Sequence, residues 1–368
     1  MLTFATTRQK EQLLLRNCII KTKADRLVSF LLERLSPCAQ KQGDENRMKT
    51  QEKVLEILYS KNDAISGEEI ASTLGVSRNS VWKAINGLKA LGYEIESSGI
   101  GYRLLSRGLL DEYSVKKHLR REHKLFIYKK ENSSNDIAKQ LARQGVSEGG
   151  TVIVLSQTGG KGRMGRSFIS NSENGLYMSI ILRPQIQAAQ SVSITVAGAV
   201  AVLEAIEHLS GKECSIKWVN DIYIGEKKCC GILTEASLDF ESGRLQYAVI
   251  GVGVNLCPPK GGFDKEIEEI ACGVYENECP PGFKSKLCAE IINRFFDHYE
   301  ELEKKKYIDT YRKKSSIIGK AVDVYVGNEI ISGVATDIDE NANLVVKGEN
   351  GQSYVFGSGE ARVRKAAK

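Results

Sequence analysis

What this chain of 368 residues lacks narrows its chemistry before any motif is read. Its nine cysteines include no Cys-x-x-Cys pair, and its four histidines (His118, His123, His208, His298) form no cluster with them. That argues against both a zinc site and a disulfide framework, and favours reduced thiols in a cytoplasmic setting. No apolar run reaches the length of a membrane span, and the N-terminus lacks the apolar core and cleavage site of a secretory signal. No membrane association is expected. Charge of one sign is not in large excess. A formal charge of +6 and a pI near 8.7 leave any nucleic-acid role to a local patch. The length has room for two or three domains.

Residues 1–47 read either as a helical extension or as an upstream segment, with Met48 the natural first residue. Residues 48–106 then read as a winged helix-turn-helix. Thr50–Lys61 is amphipathic. Ser66 caps Gly67–Leu74 with Glu69 at the capping-box position, Gly75-Val76 turns, and Ser77 caps a longer helix, Arg78–Leu91. That helix sends Val81, Ile85, Leu88 and Leu91 inward and presents Ser77, Arg78, Asn79, Ser80 and Lys83 outward, an arrangement suited to base edges and phosphates. Tyr93–Glu96 and Tyr102–Leu105 flank a glycine turn, the wing.

Residues 112–315 form the next expected domain, with a basic helix at Tyr113–Arg121 and a strand at Leu125–Lys129. Ser133-Ser134-Asn135 precedes a helix over Asp136–Gln144, and either caps it or binds a polar ligand. The strand Thr151–Leu155 leads into Gln157-Thr158-Gly159-Gly160-Lys161-Gly162-Arg163-Met164-Gly165-Arg166. Four glycines and three cations in ten residues make either an anion-closing loop or a solvated basic surface loop. The Walker pattern is absent, because neither Ser nor Thr follows the lysine. A strand at Gly175–Leu182 and a buried helix at Ser193–Leu209 follow. In Lys217-Trp218-Val219-Asn220-Asp221, polar groups interrupt apolar half-strands, so they either serve a site or form a hairpin turn. Strands at Lys227–Glu235 and Tyr247–Asn255, the latter with Gly251 and Gly253, imply close approach of a ligand or another backbone. Lys284–Lys306 reads as a long helix. Residues 318–366 read as five short strands of a small SH3-like β-barrel with no evident catalytic residue.

Taken in this order, the motifs resemble those of the bifunctional biotin–protein ligases that also repress biotin synthesis. The resemblance covers residues 48–366, and its specific parts are the basic glycine loop and the Lys-Trp-x-Asn-Asp stretch. It departs from the family at Lys161, usually arginine, at Ser134 in a Ser-Thr-Asn triplet, and at Val219, usually proline, which leaves that backbone less fixed. The resemblance implies a multidomain α+β chain whose central part is a mixed sheet flanked by helices, like class II aminoacyl-tRNA synthetases. It implies that biotin and Mg·ATP give biotinyl-5′-AMP, which then acylates a lysine of a biotin carboxyl carrier domain of a carboxylase. Arg163 and Lys217 are the implied catalytic pair, with Lys217 bridging carboxylate and α-phosphate. Biotin falls to Ser133, Ser134, Asn135, Gln157, Gly160, Lys161 and Gly162 together with that pair. The nucleotide falls to Arg163, Arg166, Phe168, Lys217, Asn220 and Asn255, and Mg²⁺ to Asp221. The loop glycines become a lid, and a bulkier residue at Gly162 is expected to spoil closure. An adenylate-dependent homodimer on operator DNA completes the expectation. The competing readings are a catalytically silent biotin sensor and a lipoyl or octanoyl transfer enzyme.

Overall fold

The computed structural model describes residues 42–61, 63–90, 93–105, 110–239, 241–327 and 329–364. The readings placed on residues 1–41, on Leu91 and on Gly92 fall outside them. The chain divides into two compact units, residues 1–106 and 107–368.

In the first unit, α1 (Gln42–Ser60) starts ahead of Met48, earlier than the amphipathic pattern indicated. Helix α2 (Gly67–Leu74) is capped as expected, with the Ser66 hydroxyl accepting from the Glu69 amide at 3.0 Å. Helix α3 (Arg78–Ala90) starts at Ser77, whose hydroxyl accepts from the Ser80 amide at 3.1 Å. Its Val81, Ala84, Ile85 and Leu88 are buried, as are Val54, Leu55 and Leu58 of α1. Each of the valine, leucine and isoleucine side chains contributes about 1.5–3 kcal/mol when withdrawn from water. Strands β1 (Ile95–Ser97) and β2 (Tyr102–Leu104) pair antiparallel to make the wing.

The second unit opens on α4 (Glu112–Lys116), five residues long where a helix to Arg121 was expected. The reason is tertiary. Asn293 accepts from the Arg120 amide and donates to the His118 carbonyl, both at 2.9 Å, and so holds that backbone out of the helix. A seven-stranded mixed sheet follows: β3 (Leu125–Glu131), β4 (Thr151–Gln157), β5 (Gly175–Leu182), β6 (Ser215–Lys217), β7 (Asp221–Ile224), β8 (Lys227–Leu238) and β9 (Leu245–Asn255). Their order is β3-β4-β5-β9-β8-β7-β6, with only β3 and β4 parallel. Side chains alternate across the sheet. Ile153, Met178, Ile180, Ile250 and Val252 join one core with α6 (Ser191–Ser210) and α7 (Phe283–Glu300). Val152, Val154, Ile181 and Val249 join another beneath α5 (Ser134–Arg143).

Helix α6 is long and apolar enough to cross a membrane, which corrects the expectation that no run has that length. Most of it is buried, as suits the central helix of a core.

Helix α7 was expected to run on to Lys306 but stops at Glu300, and a short α8 (Tyr307–Lys313) follows. Near its start Lys284 donates to the Glu173 carbonyl at 2.9 Å. Burial pulls this ammonium down to about 8 from its ordinary 10.5. Between those values the unfolded chain holds the proton that the folded chain has lost, so stability should rise as pH rises from about 8 to 10.5. Urea unfolding across that window measures it, and Lys284→Met should flatten the rise.

Five antiparallel strands end the unit: β10 (Ala321–Val326), β11 (Glu329–Ile338), β12 (Leu344–Gly348), β13 (Ser353–Phe356) and β14 (Glu360–Val363), in the order β13-β12-β11-β10-β14.

Candidate active site

The sheet face that carries Val249 and Ile181 under α5 changes character toward the far ends of the same strands. Register places Ser179 opposite Gly251, Tyr177 opposite Gly253, and Gly231 of β8 on the other side of Gly253. Three glycines on one face of two neighbouring strands, Gly251 and Gly253 of β9 and Gly231 of β8, remove the side chains that would fill this face, and a cleft of about 60 Å³ opens there. A Cβ at Gly251 would overlap Asn135, and one at Gly253 would lie 2.7 Å from the Phe168 ring. The close approach expected at these glycines is therefore made by side chains of the same chain rather than by another backbone.

One end of the cleft is lined by buried polar side chains. Ser133 takes the N-cap position of α5, while Ser134 and Asn135 sit buried in its first turn, so the helix starts two residues earlier than the pattern indicated. The buried Gln157 accepts from the Ser134 amide at 2.7 Å and donates to Ser170 Oγ at 3.1 Å. Ser179, which sequence reasoning missed, donates to Asn135 Oδ1 at 2.6 Å and lies 2.8 Å from Ser134 Oγ. Asn135 in turn donates to Glu235 at 2.9 Å. A fully partnered network of this kind is rigid, and it can present its polar atoms to a ligand without first reorganising. A lone serine at position 179, in a strand 175–182 of otherwise apolar and aromatic residues, is the signal that was available.

The basic glycine loop lies across the cleft as a tight hairpin. The Gln157 amide donates to the Ser170 carbonyl at 2.8 Å, Phe168 to Gly160 at 2.9 Å, and Gly162 to Arg166 at 2.7 Å. Each of its three cations reaches a different element. Lys161 pairs with Asp136 of α5 at 2.6 Å. Arg163 donates to Asn220 Oδ1 at 3.1 Å and to the Gly359 carbonyl at 3.5 Å. Arg166 pairs with Glu360 at the start of β14. Burial lowers the Arg163 guanidinium from its ordinary value, against the pull of Asp221. Burial pushes the Asp136 carboxyl up, but hydrogen bonds from Lys161 and Lys139 outweigh it and hold it below the usual range. The Arg166 hydrogen bond brings Glu360 down to about 2.

Within the loop Gly162 is extended (φ −114°, ψ 179°). A Cβ there would sit tightly at 3.3 Å from the Arg166 carbonyl. Gly165 has φ 74°, and a Cβ at Gly160 would overlap Ser170 and the Phe168 carbonyl. The stricter demands for glycine in this loop stand at Gly160 and Gly165. Gly160 shapes the loop from within and does not line the cleft.

Lys228 lines the cleft. Lys217 is absent from the lining, and its ammonium lies 5.8 Å from the centre of the Tyr223 ring, where burial lowers its pKa. A bulge between Ile222 and Tyr223 sets the register that places Lys228 opposite Tyr223. Lys228 Nζ is 2.8 Å from Asp221 Oδ1 and 6.0 Å from the Phe168 ring centre. That oxygen makes no well-directed hydrogen bond, so the contact is an ion pair. Asp221 also lies outside the lining, behind Lys228. The described residues hold no group of three or more metal-type ligands, and a lone carboxylate held by a lysine does not fit a resident Mg²⁺ site.

Between β6 and β7, residues 218–220 form the turn, and hydrogen bonds hold the chain on both sides of Val219. Its carbonyl accepts from the Tyr311 hydroxyl, and Trp218 Nε1 donates to the Ala342 carbonyl, both at 3.0 Å. Asn220 itself lines the cleft.

A second and larger cavity, of about 420 Å³, adjoins the first. Phe168 and Lys228 line both, so they form the wall between them. The second cavity also takes in Arg166, Asn174, Tyr177, Asn255, Phe263 and Ile270. It is largely apolar, with amides at one end. Thus Ser133, Ser134, Asn135, Gln157, Lys161, Gly162, Arg163, Phe168 and Asn220 meet in the first cavity, while Arg166 and Asn255 belong to the second.

Residues 127–255 match the biotin/lipoate A/B protein ligase family, residues 50–103 an HTH domain, and residues 317–363 the biotin protein ligase C-terminal domain. The bifunctional ligase/repressor BirA of Bacillus spizizenii is 31% identical over 303 residues, covering 80% of this chain and 93% of that protein. Its namesake in Bacillus subtilis is 39% identical over 215 residues, covering 57% of this chain and 66% of that protein. Among solved structures, the biotin protein ligase of Aquifex aeolicus in complex with biotin and ATP shares the fold. Its TM-score is 0.55 at 24% identity, with 66% of this chain and 99% of that one covered.

Proposed function

This chain belongs to the family of bifunctional biotin ligase/repressors, and from that premise we propose how its two adjoining cavities divide the substrates. The observation that carries the proposal is the shared wall of Phe168 and Lys228. Biotin binds in the first cavity, its ureido ring against Ser134, Asn135, Gln157 and the Ser179 network. Its carboxylate then ends at Lys228. ATP binds in the second cavity, its adenine among the apolar residues and Asn174 and Asn255, its phosphates toward Arg163 and Arg166. Lys228 stands where the two meet, and it neutralises both the attacking carboxylate and the α-phosphate. A carboxylate oxygen attacks the α-phosphorus and the bond to pyrophosphate breaks, giving biotinyl-5′-AMP. The neutral amine of a carrier-domain lysine then attacks the acyl carbon and AMP leaves. No nucleophile of this chain is needed. Mg²⁺ enters with the ATP phosphates as part of the substrate, and Asp221 serves to hold Lys228.

The same premise supports a winged helix-turn-helix over residues 48–106 that binds operator DNA, a ligase domain of class II synthetase type over 112–315, and an SH3-like C-terminal barrel over 318–366. It also supports an adenylate-dependent homodimer working in the cytoplasm. Incubation with biotin, α-labelled ATP and an apo biotin carrier domain should yield labelled adenylate and then a biotinylated carrier. Biotin binding with no adenylate would leave only a sensor. Transfer from lipoate but not biotin would leave the lipoyl-type reading.

A further inference from the structure

In the DNA-binding unit, the outward face of α3 carries one residue that phosphate contacts do not explain. Trp82 is 55% exposed. It follows Arg78 by four residues and precedes Asn86 by four and Lys89 by seven, so it sits in the middle of a polar, cationic stripe. The buried side of the helix is fully supplied by Val81, Ala84, Ile85 and Leu88, so the core has no use for the indole. Arg78 beside it is poorly engaged, meeting Glu68 only at 3.9 Å, with both side chains at least three-quarters exposed. At the end of the stripe, Lys89 is tied to Ser97 of the wing at 2.9 Å, which keeps helix and wing together.

A helix face of this kind fits duplex DNA by charge, and the major groove offers one apolar feature on its base edges, the thymine C5-methyl group. We propose that Trp82 is a specificity-determining residue that packs on a thymine methyl in each half-site, while Arg78 and Lys83 serve phosphates and polar base edges. The proposal rests on the DNA-binding reading and goes beyond it by assigning what the indole reads.

The test uses the full chain with biotin and ATP. Wild type first selects binding sequences from a duplex library with a random core. Each thymine of a selected site is then replaced by uracil, which removes the methyl group alone. Wild type should lose about tenfold in affinity at one thymine per half-site, the size of a lost base contact. Trp82→Gln should bind the thymine and uracil duplexes equally, at the wild-type uracil level, with an unchanged salt slope. Arg78→Gln, by contrast, should lower that slope. The proposal is overturned by a selected site with no thymine in its contacted half-sites, or by Trp82→Gln retaining the thymine preference. It is equally overturned if Trp82→Gln changes the dimerisation seen in sedimentation while base preference stays, since the indole then serves a protein contact. Salt-insensitive, unselective binding by wild type would remove the DNA-binding reading itself. Thermal unfolding of Trp82→Gln should match wild type, because the side chain is exposed.

Discussion

Lys228→Met is expected to slow adenylate formation about 10²–10³-fold, the usual effect of removing a preorganised partner of transition-state charge. Lys217→Met should stay within about tenfold, because its charge reaches the cleft only over distance and through partial screening. Pyrophosphate release at saturating biotin and ATP compares the two. The contrast follows from position: Lys228 lines both cavities, while Lys217 lines neither. Burial of Lys217 over Tyr223 already lowers its pKa, so its charge is held at some energetic disadvantage. A larger loss at Lys217 than at Lys228 would reduce Lys228 to a counter-ion of Asp221 and overturn the bridging role.

Gly253→Val is the second large effect. A side chain there begins 2.7 Å from the Phe168 ring, which must move. Because that ring walls both cavities, the KM values for biotin and ATP should rise together, each by about tenfold or more, as expected when a packed group is forced off its site. The companion variant Phe168→Ala removes the obstruction, so the double variant should be less impaired than the two separate losses predict. Isotherms for each substrate, with the double-variant cycle, decide the matter. A change confined to one substrate would show that the ring is not a shared wall.

How much of this was legible beforehand depended on the distance over which each feature is decided. Helix caps at Ser66 and Ser77, the strand at 175–182 and the alternating strands of the C-terminal sheet are set by neighbours, and their readings survive in the structure. The end of α4 is not set locally: Asn293, more than 170 residues away, decides it. The site divides in the same way. Ser134, Asn135, Gln157 and Arg163 stood in motifs and meet in the cleft. Lys228 read as an ordinary strand residue beside two cysteines, and only the bulge at Cys229 of β8 reveals where it aims. Glu360 had no local signal at all. Its pairing with Arg166 spans 194 residues, and it draws the C-terminal sheet, read as free of catalytic residues, into the site.

Those pairings have a further consequence. Lys161 is matched by Asp136, Arg166 by Glu360 and Lys228 by Asp221, so three of the site's cations already own an anion. At these three cations a substrate carboxylate or phosphate does not meet bare positive charge and must displace a tenant carboxylate, as in an ion exchanger, whereas Arg163 is bonded to the neutral Asn220 and the Gly359 carbonyl and has no such tenant. Added salt weakens the resident pairs as well as the incoming ones, so the two effects oppose each other. At Lys161, Arg166 and Lys228 charge selects by competition, and an anion too weak to evict the resident carboxylates gains no hold on those three cations.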